Sequence, residues 1–502
     1  MKLSMGLGYA GGFKESVQRV VELEKAGLDQ VWVAEAYSFD AISQVGYLAA
    51  MTNRIEIGTG IVNVYSRSAA LMAMTAAGCD YVSDGRFILG LGASGPQVIE
   101  GFHGIPYEKP MQRIKEYIEV CRKVWAREEA LSYDGKTVQV PLPAGQGTGL
   151  GKALKLINHP VRKDIPIWWA SLKDKSVEAT AEMADGWLPI MFYPEKYHNV
   201  WGDQLKAGLA KRDKSRKQLD ISAGGMLAID EKLTGDAQTK ILDFARPNMA
   251  LYVGGMGARG KNFYNDVCRD YGFEKEAVAV QDLYLDGKTV QVPLPAGQGT
   301  GLGKALKIIN HPVRKDIPVW WASLKDKSVE ATAQMADGWL PIMSYPEKYH
   351  NVWGDSLKAG TAKRDPGRKK LDISAGGMLA IDEKLTGEAQ SKILDFARPN
   401  MALYVGGMGA RGKNFYNDVC RDYGFEKEAV AVQDLYLDGK KDEAAANIPA
   451  EWILNANLVG TPGFIKERVA AYKEAGVTVL SVNPVGPDPV REIEKLRAII
   501  DA

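Results

Sequence analysis

Along residues 1–133 the apolar positions change their period repeatedly. KLSMGLGY, LDQVWVAEA, RIEIGTGIVNV and RFILGLGAS are short apolar runs bounded by glycine or charged residues. Between and after them, ESVQRVVELEKAG, SFDAISQVGYLAAMT, SAALMAMTAAGCDYVS and MQRIKEYIEVCRKVWA space their apolar residues three and four apart. The first pattern predicts strands and the second amphipathic helices. Further on come IPIWWAS, helical KSVEATAEMADG, WLPIM and DISAGGMLAI, and the chain ends with VTVLSVNPV and the helical PVREIEKLRAII. Regular strand–helix alternation implies parallel β-structure with helical crossovers.

One long stretch occurs twice. From Asp134–Lys136 to the same triplet at Asp286–Lys288, and again at Asp438–Lys440, the sequence repeats at a constant offset with about a dozen mild substitutions, far fewer than divergent solenoid units carry. Leu156 becomes Ile308, Ile167 becomes Val319 and Glu182 becomes Gln334; the largest apolar loss is Phe192 to Ser344. With one copy removed, eight strand–helix units remain, which is the count of a closed (β/α)8 TIM barrel. The expected organisation is therefore barrel strands one to four in 1–133, strands five to seven in 134–285 (copy one), their duplicate in 286–437 (copy two), and strand eight with a closing helix in 438–502. A barrel of eight strands is filled by its own side chains, so a redundant three-strand α/β lobe must be left over. Copy one follows strand four directly and is synthesised first, so it is the copy expected in the barrel.

Composition narrows the function classes. With 46% apolar and 25% charged residues and a formal charge of +1, the chain reads as an ordinary globular protein without the field that binds nucleic acid or an anionic membrane. No run approaches a membrane span, and the N-terminus lacks a signal-peptide core. Four cysteines are too few for a disulfide framework, which suits a reducing cytoplasm. The five histidines form no ligand-spaced cluster, so no metal site is expected. GQGTGLGKA and GGMGARGKN look like phosphate loops, but alanine and asparagine stand where the motif needs Ser or Thr after the lysine. GLGASG matches a dinucleotide motif, yet Pro96 and the broken QVIEGFHGIPY follow it instead of a long helix. A loop at the C-terminal end of barrel strand four accounts for it better.

Several stretches, in this order, carry a resemblance: LDQVWVAEA, IGTGIVNVYSRSAALMAMTAAGCDYVSDGRFILGLGASGPQVIEGFHG, PLPAGQGTGLGKALKLINHPVRKDIPI, MADGWLPI, MALYVGGMGA, and the tail elements KDEAAANIP, LVGTP and AGVTVLSV. Together they cover the chain less one copy. In them the sequence resembles the luciferase-like family of flavin- and deazaflavin-dependent oxidoreductases, most closely its coenzyme F420-dependent branch. The resemblance implies a barrel whose strand C-termini hold a flat tricyclic ring, hydride passing between that ring and a small-molecule substrate. FMN is the alternative cofactor, and an inactive or oligomerising duplicated barrel the alternative outcome; a homodimer fits the spare strand edges. Position by position, Gly60 and Ile61 match a strand-three bulge behind the ring, often a non-proline cis peptide in this family. Asn63, Tyr65, Ser66 and Arg67 follow it. Glu35 matches an acidic position near the ring edge, with an ion pair to Arg67 as its structural alternative. Gly90, Gly92, Ala93 and Ser94 match the strand-four loop. Ser171, Leu172 and Lys173 match a phosphate-binding turn, duplicated as Ser323, Leu324 and Lys325. The histidine that follows the acidic residue in alcohol-oxidising members is Ala36 here, so Tyr9, Glu35, Tyr37 or Tyr65 is left to supply a proton, with Glu35 and Tyr65 the catalytic candidates.

Overall fold

The computed structural model describes residues 1–8, 11–243, 245–286, 308, 313–314 and 316–502. The chain divides into two compact units, Met1–Pro312 and Val313–Ala502. In the first, parallel strands Ser4–Gly6, Gln30–Val33, Glu56–Thr59, Phe87–Gly92, Ile167–Trp169, Gly186–Trp187 and Asp220–Ile221 follow one another in a single sheet, with Val62–Asn63 pairing alongside Phe87–Gly92. Strand four and copy one are continuous: Leu89 pairs with Ile167 and Leu91 with Trp169. The sheet curls until Ser4 Oγ lies 3.4 Å from Ser222 Oγ, so its first and seventh strands approach each other.

Helices cover the outer face, as parallel strands require. Asp40 accepts hydrogen bonds from the Ile42 and Ser43 amides to start helix Ala41–Met51, and Ser68 accepts from the Leu71 amide to start Ala69–Val82. Both helices bury small residues (Ala49, Ala73, Ala76) against Ile57, Phe87 and Leu89 of the sheet. The inner face is filled by a separate group, Trp32, Ile88 and Trp168, with Leu188 against it. A Cβ at Gly58 would stand 2.2 Å from the Trp32 ring, so glycine is what admits an indole there. Trp168 and Trp169 face opposite sides of their strand, as adjacent strand residues must: the first packs inside on Trp32 at 5.1 Å, the second in the outer core.

In the second unit, copy two supplies parallel strands Trp320–Trp321, Gly338–Trp339 and Asp372–Ala375, and the last of these pairs with Val479–Leu480 from the C-terminal segment. A further strand, Met378–Ile381, lies between Leu458–Gly460 and Asn483–Pro484. Trp339, Trp353, Leu379, Trp452, Leu458 and Tyr472 form the centre of this unit's own core. Among the described residues no helix is long and apolar enough to cross a membrane.

Here the observed pairing departs from the expected one. Among the described residues the C-terminal strand is hydrogen-bonded to copy two, not to copy one, and does not share a sheet with strands one to four. The two acceptor strands have the same sequence, so local preference cannot choose between them. Chain connectivity can, because the loop to the adjacent copy is shorter and costs less closure entropy. Trp321 registers the result: its copy-one equivalent Trp169 is 1% exposed beside strand four, whereas Trp321 is 41% exposed. The strand Leu458–Gly460 was not among the strands expected from the sequence.

Candidate functional site

The C-terminal ends of strands two, three and four in the Met1–Pro312 unit bring together most of the residues singled out in the sequence. On strand three the Gly60–Ile61 peptide is cis. Residues Ile57–Thr59 and Val62–Tyr65 are buried, so Gly60 and Ile61 are the accessible points of a strand that is otherwise covered. Ala36 and Tyr37 on one side and Ala93, Ser94 and Gly95 on the other are also partly accessible. Gly60 lies over Trp32, whose Cβ would be 3.3 Å from a Cβ added at that glycine.

Glu35 is fully engaged. Its carboxylate accepts from Arg67 Nη1 at 2.8 Å and Nη2 at 2.9 Å, and from the Ala41 amide at 3.1 Å. The two side chains are 7% and 13% exposed. The hydrogen bonds to Glu35 raise the Arg67 pKa against the opposing effect of burial. Arg67 also donates to Ser66 Oγ, and its carbonyl accepts from the Tyr117 hydroxyl. The pair is thus a brace between strands two and three, the structural alternative raised for Glu35.

Tyr65 is engaged too. Its hydroxyl donates to the Glu108 carbonyl at 2.9 Å, its ring stacks on Tyr107 with centroids 5.4 Å apart, and the Arg113 guanidinium lies 4.8 Å over it. Burial pushes its pKa up to about 12. Asn63 turns its side chain back to accept from the Tyr65 and Ser66 amides, fixing the turn after the bulge.

In the strand-four loop, Gly90 has its amide and carbonyl bonded to the Thr59 hydroxyl at 2.9 Å, and a Cβ there would collide with the Thr59 carbonyl. Gly92 lies against the Ile61 side chain. Both glycines therefore bring strands three and four together, while Ala93 and Ser94 reach the accessible surface. Ser94 adopts φ 57° and its carbonyl accepts from the Tyr107 hydroxyl.

Lys173 precedes helix Asp174–Met183 and is 53% exposed, paired with Asp266 at 2.6 Å. Ser171 is buried against the Thr180 hydroxyl, and the Leu172 carbonyl accepts from Trp201. Ser323, Leu324 and Lys325 repeat these contacts with Thr332, Trp353 and Asp418 in the other unit. Only the first trio shares a unit with Glu35 and Gly60. Tyr9 lies outside the described residues.

One residue was missed. His103 follows the short helix Pro96–Gly101, next to Phe102, whose ring is 6.4 Å from Tyr37. Its Nε2 is buried with no hydrogen-bond partner. Burial lowers its pKa, with Glu35 opposing and Arg67 reinforcing the shift, so those two charges are its electrostatic neighbours. The available signal was its position just beyond the GLGASGPQ loop; the histidines were weighed only as metal ligands, and no ligand-spaced cluster includes it.

The family model for luciferase-like monooxygenase matches residues 1–294 and again 286–479. A Mycobacterium tuberculosis protein, provisionally named a coenzyme F420-dependent oxidoreductase, is 38% identical over 329 residues, covering 64% of this chain and 92% of that protein. The 5,10-methylenetetrahydromethanopterin reductase of Methanolobus tindarius is 32% identical over 209 residues, 41% of this chain and 59% of the reductase. That of Archaeoglobus fulgidus is 30% identical over 233 residues, 46% and 64% respectively. Both the double family match and the curled parallel sheet agree with an α/β barrel fold of this type carrying a duplicated segment, and the chain belongs to the luciferase-like monooxygenase family.

Proposed function

We propose that the chain is an oxidoreductase that transfers a hydride between coenzyme F420 and a small organic substrate, at the C-terminal mouth of the sheet in the Met1–Pro312 unit. The observation that carries the cofactor choice is the similarity along 92% of a relative named for F420. The residues present fit such a group. A flat ring needs a floor with few protruding side chains, and Ala36, Gly60, Ile61, Ala93, Ser94 and Gly95 supply one, with Tyr37 at its side. Lys173, exposed and held by a surface ion pair, is a donor for an anionic tail.

When bound, the deazaflavin supplies the hydride donor or acceptor. The protein has to position the substrate and handle the accompanying proton. Glu35 and Tyr65 are committed to Arg67 and Glu108. His103 retains a ring nitrogen without a partner, and burial lowers its pKa, which favours the neutral imidazole. In this reading His103 would take up the substrate's O–H or N–H proton in oxidation and return it in reduction.

Titrating the purified chain with F420 and with FMN while following ring absorbance tests the assignment. A response to F420 at stoichiometric concentration is expected. Tight FMN binding without any response to F420 refutes it and favours the second reading, an FMN-dependent monooxygenase, which the family's description supports.

A further inference from the structure

Tyr107 is bonded to both the strand-three and the strand-four side of the accessible floor. Its hydroxyl donates to the Ser94 carbonyl at 3.0 Å, and its ring stacks on Tyr65 with 5.4 Å between centroids and 27° between planes. Its amide donates to the buried Glu100 carboxylate at 3.1 Å. Tyr65 belongs to the turn that follows Gly60–Ile61, and the Asn63 side chain and the Glu108 carbonyl fix it there. Burial drives the pKa of the Tyr107 hydroxyl up, so the group stays a neutral donor. Tyr264 of copy one, packed edge-on against Tyr252 at 4.9 Å, is one of its electrostatic neighbours.

What the hydroxyl holds is a backbone conformation that serine disfavours. Ser94 has φ 57°, a region that only a few per cent of non-glycine residues occupy. Ala93 and Gly95 flank it, and the three residues are the strand-four side of the floor. A return of Ser94 to negative φ would redirect that whole side. We propose that Tyr107 is a positioning residue for the ring site. Its hydroxyl keeps Ser94 left-handed, so that the Ala93–Gly95 side stays open to a flat ring, and its stack on Tyr65 keeps that side in register with the strand-three turn. The assignment rests on the cofactor reading above. Tyr107 precedes the duplicated segment, so the device exists once per chain, in the Met1–Pro312 unit. Tyr416, the copy-two equivalent of Tyr264, packs on Tyr404 in the same way in a unit that has no counterpart of Tyr107.

Tyr107→Phe removes the hydroxyl and keeps the ring stack. The left-handed region is disfavoured on the order of tenfold for an L-residue, and affinity falls with the competent fraction. The F420 dissociation constant, read from ring absorbance, should therefore rise about tenfold. Glycine visits positive and negative φ about equally, so with Ser94→Gly already in place the same Tyr107→Phe change should cost less than about threefold. A hydroxyl that only supports the fold would lower the urea midpoint and leave the dissociation constant unchanged, or would cost the same factor in both backgrounds; either result overturns the proposal. If the wild type responds to FMN instead, the same two ratios are read with FMN. Hydrogen exchange followed by mass spectrometry needs no cofactor. Peptides spanning 92–99 should exchange faster in Tyr107→Phe, with no change in helix Ala69–Val82, and unchanged exchange at 92–99 overturns the proposal. A wild type that binds neither F420 nor FMN refutes the cofactor reading and the role toward the ring with it, while faster exchange at 92–99 still supports Tyr107 as the residue that fixes the loop.

Discussion

The Glu35–Arg67 pair distinguishes a brace from a catalytic carboxylate. Glu35→Gln leaves a guanidinium 13% exposed without its counter-charge, and Arg67→Met leaves a carboxylate 7% exposed without its own. Removing one partner of a buried pair typically costs about 3–5 kcal/mol, because the survivor remains desolvated. With two contacts of 2.8 and 2.9 Å and an effective dielectric near 20, the attraction is on the order of 4 kcal/mol. The double variant Glu35→Gln/Arg67→Met should therefore be less destabilised than the sum of the singles, by about 2–4 kcal/mol. Urea unfolding followed by tryptophan fluorescence measures all four proteins. A coupling below about 1 kcal/mol, the value of an exposed pair, would refute the reasoning. A second readout is the pH profile of turnover: a brace lowers activity without removing an inflection, whereas loss of the inflection in Glu35→Gln would restore the carboxylate as the proton carrier.

His103→Gln should lower kcat by about 10²–10⁴-fold with little change in KM. Wild-type activity in the oxidative direction should rise with pH through an inflection below the ordinary histidine value of about 6.5, and the variant should lose it; a retained inflection refutes the assignment. Glu116 is desolvated by burial, but bonds from the Thr137 hydroxyl, Gln112 and the Lys136 and Thr137 amides outweigh that and hold its pKa low. Its contribution is complete above about pH 4.3, the value in an unfolded chain, and is lost as pH falls through the depressed folded value. Glu116→Gln should thus be less stable than wild type at pH 7, with the gap closing in acid; a gap constant with pH would contradict this. Leu379→Ala should cost about 2–5 kcal/mol while Leu227→Ala, at the 82% exposed equivalent in copy one, should stay within about 0.5 kcal/mol, although the flanking sequences are identical. Equal urea midpoint shifts would mean that the two stretches share one environment.

Strands one to five could be read in advance because each is a distinct apolar run, bounded by glycine, proline or charged residues and followed by a helical pattern. Gly60–Ile61 could be located only through the resemblance, which implies a strand-three bulge at this point of GTGIVNV; the residue pattern alone reads as an ordinary buried strand. What sequence could not decide was which copy receives the last strand, since the competing acceptors are identical and the choice lies in connectivity. Nor could it show that Glu35 and Tyr65 are held by partners 32 and 43 positions away. Gly90 and Gly92 were matched to the strand-four loop, and the Thr59 and Ile61 contacts show why strand packing also favours glycine there. His103 went unnoticed because its relevance comes from electrostatic neighbours on other strands.

The copy-one counterpart of strand Met378–Ile381, exposed at Leu227 and Ile229, has a consequence during synthesis. Leu227 leaves the ribosome about 250 residues before Asn483, an interval of roughly 10–50 s at ordinary elongation rates. For that time no donor strand exists, and the identical segment of copy two waits less than half as long. Chaperone holdases, which bind exposed apolar chain before it folds, therefore have their longest opportunity at 226–229. Cells depleted of such chaperones should accumulate this chain in inclusion bodies more readily than a version from which one copy has been excised.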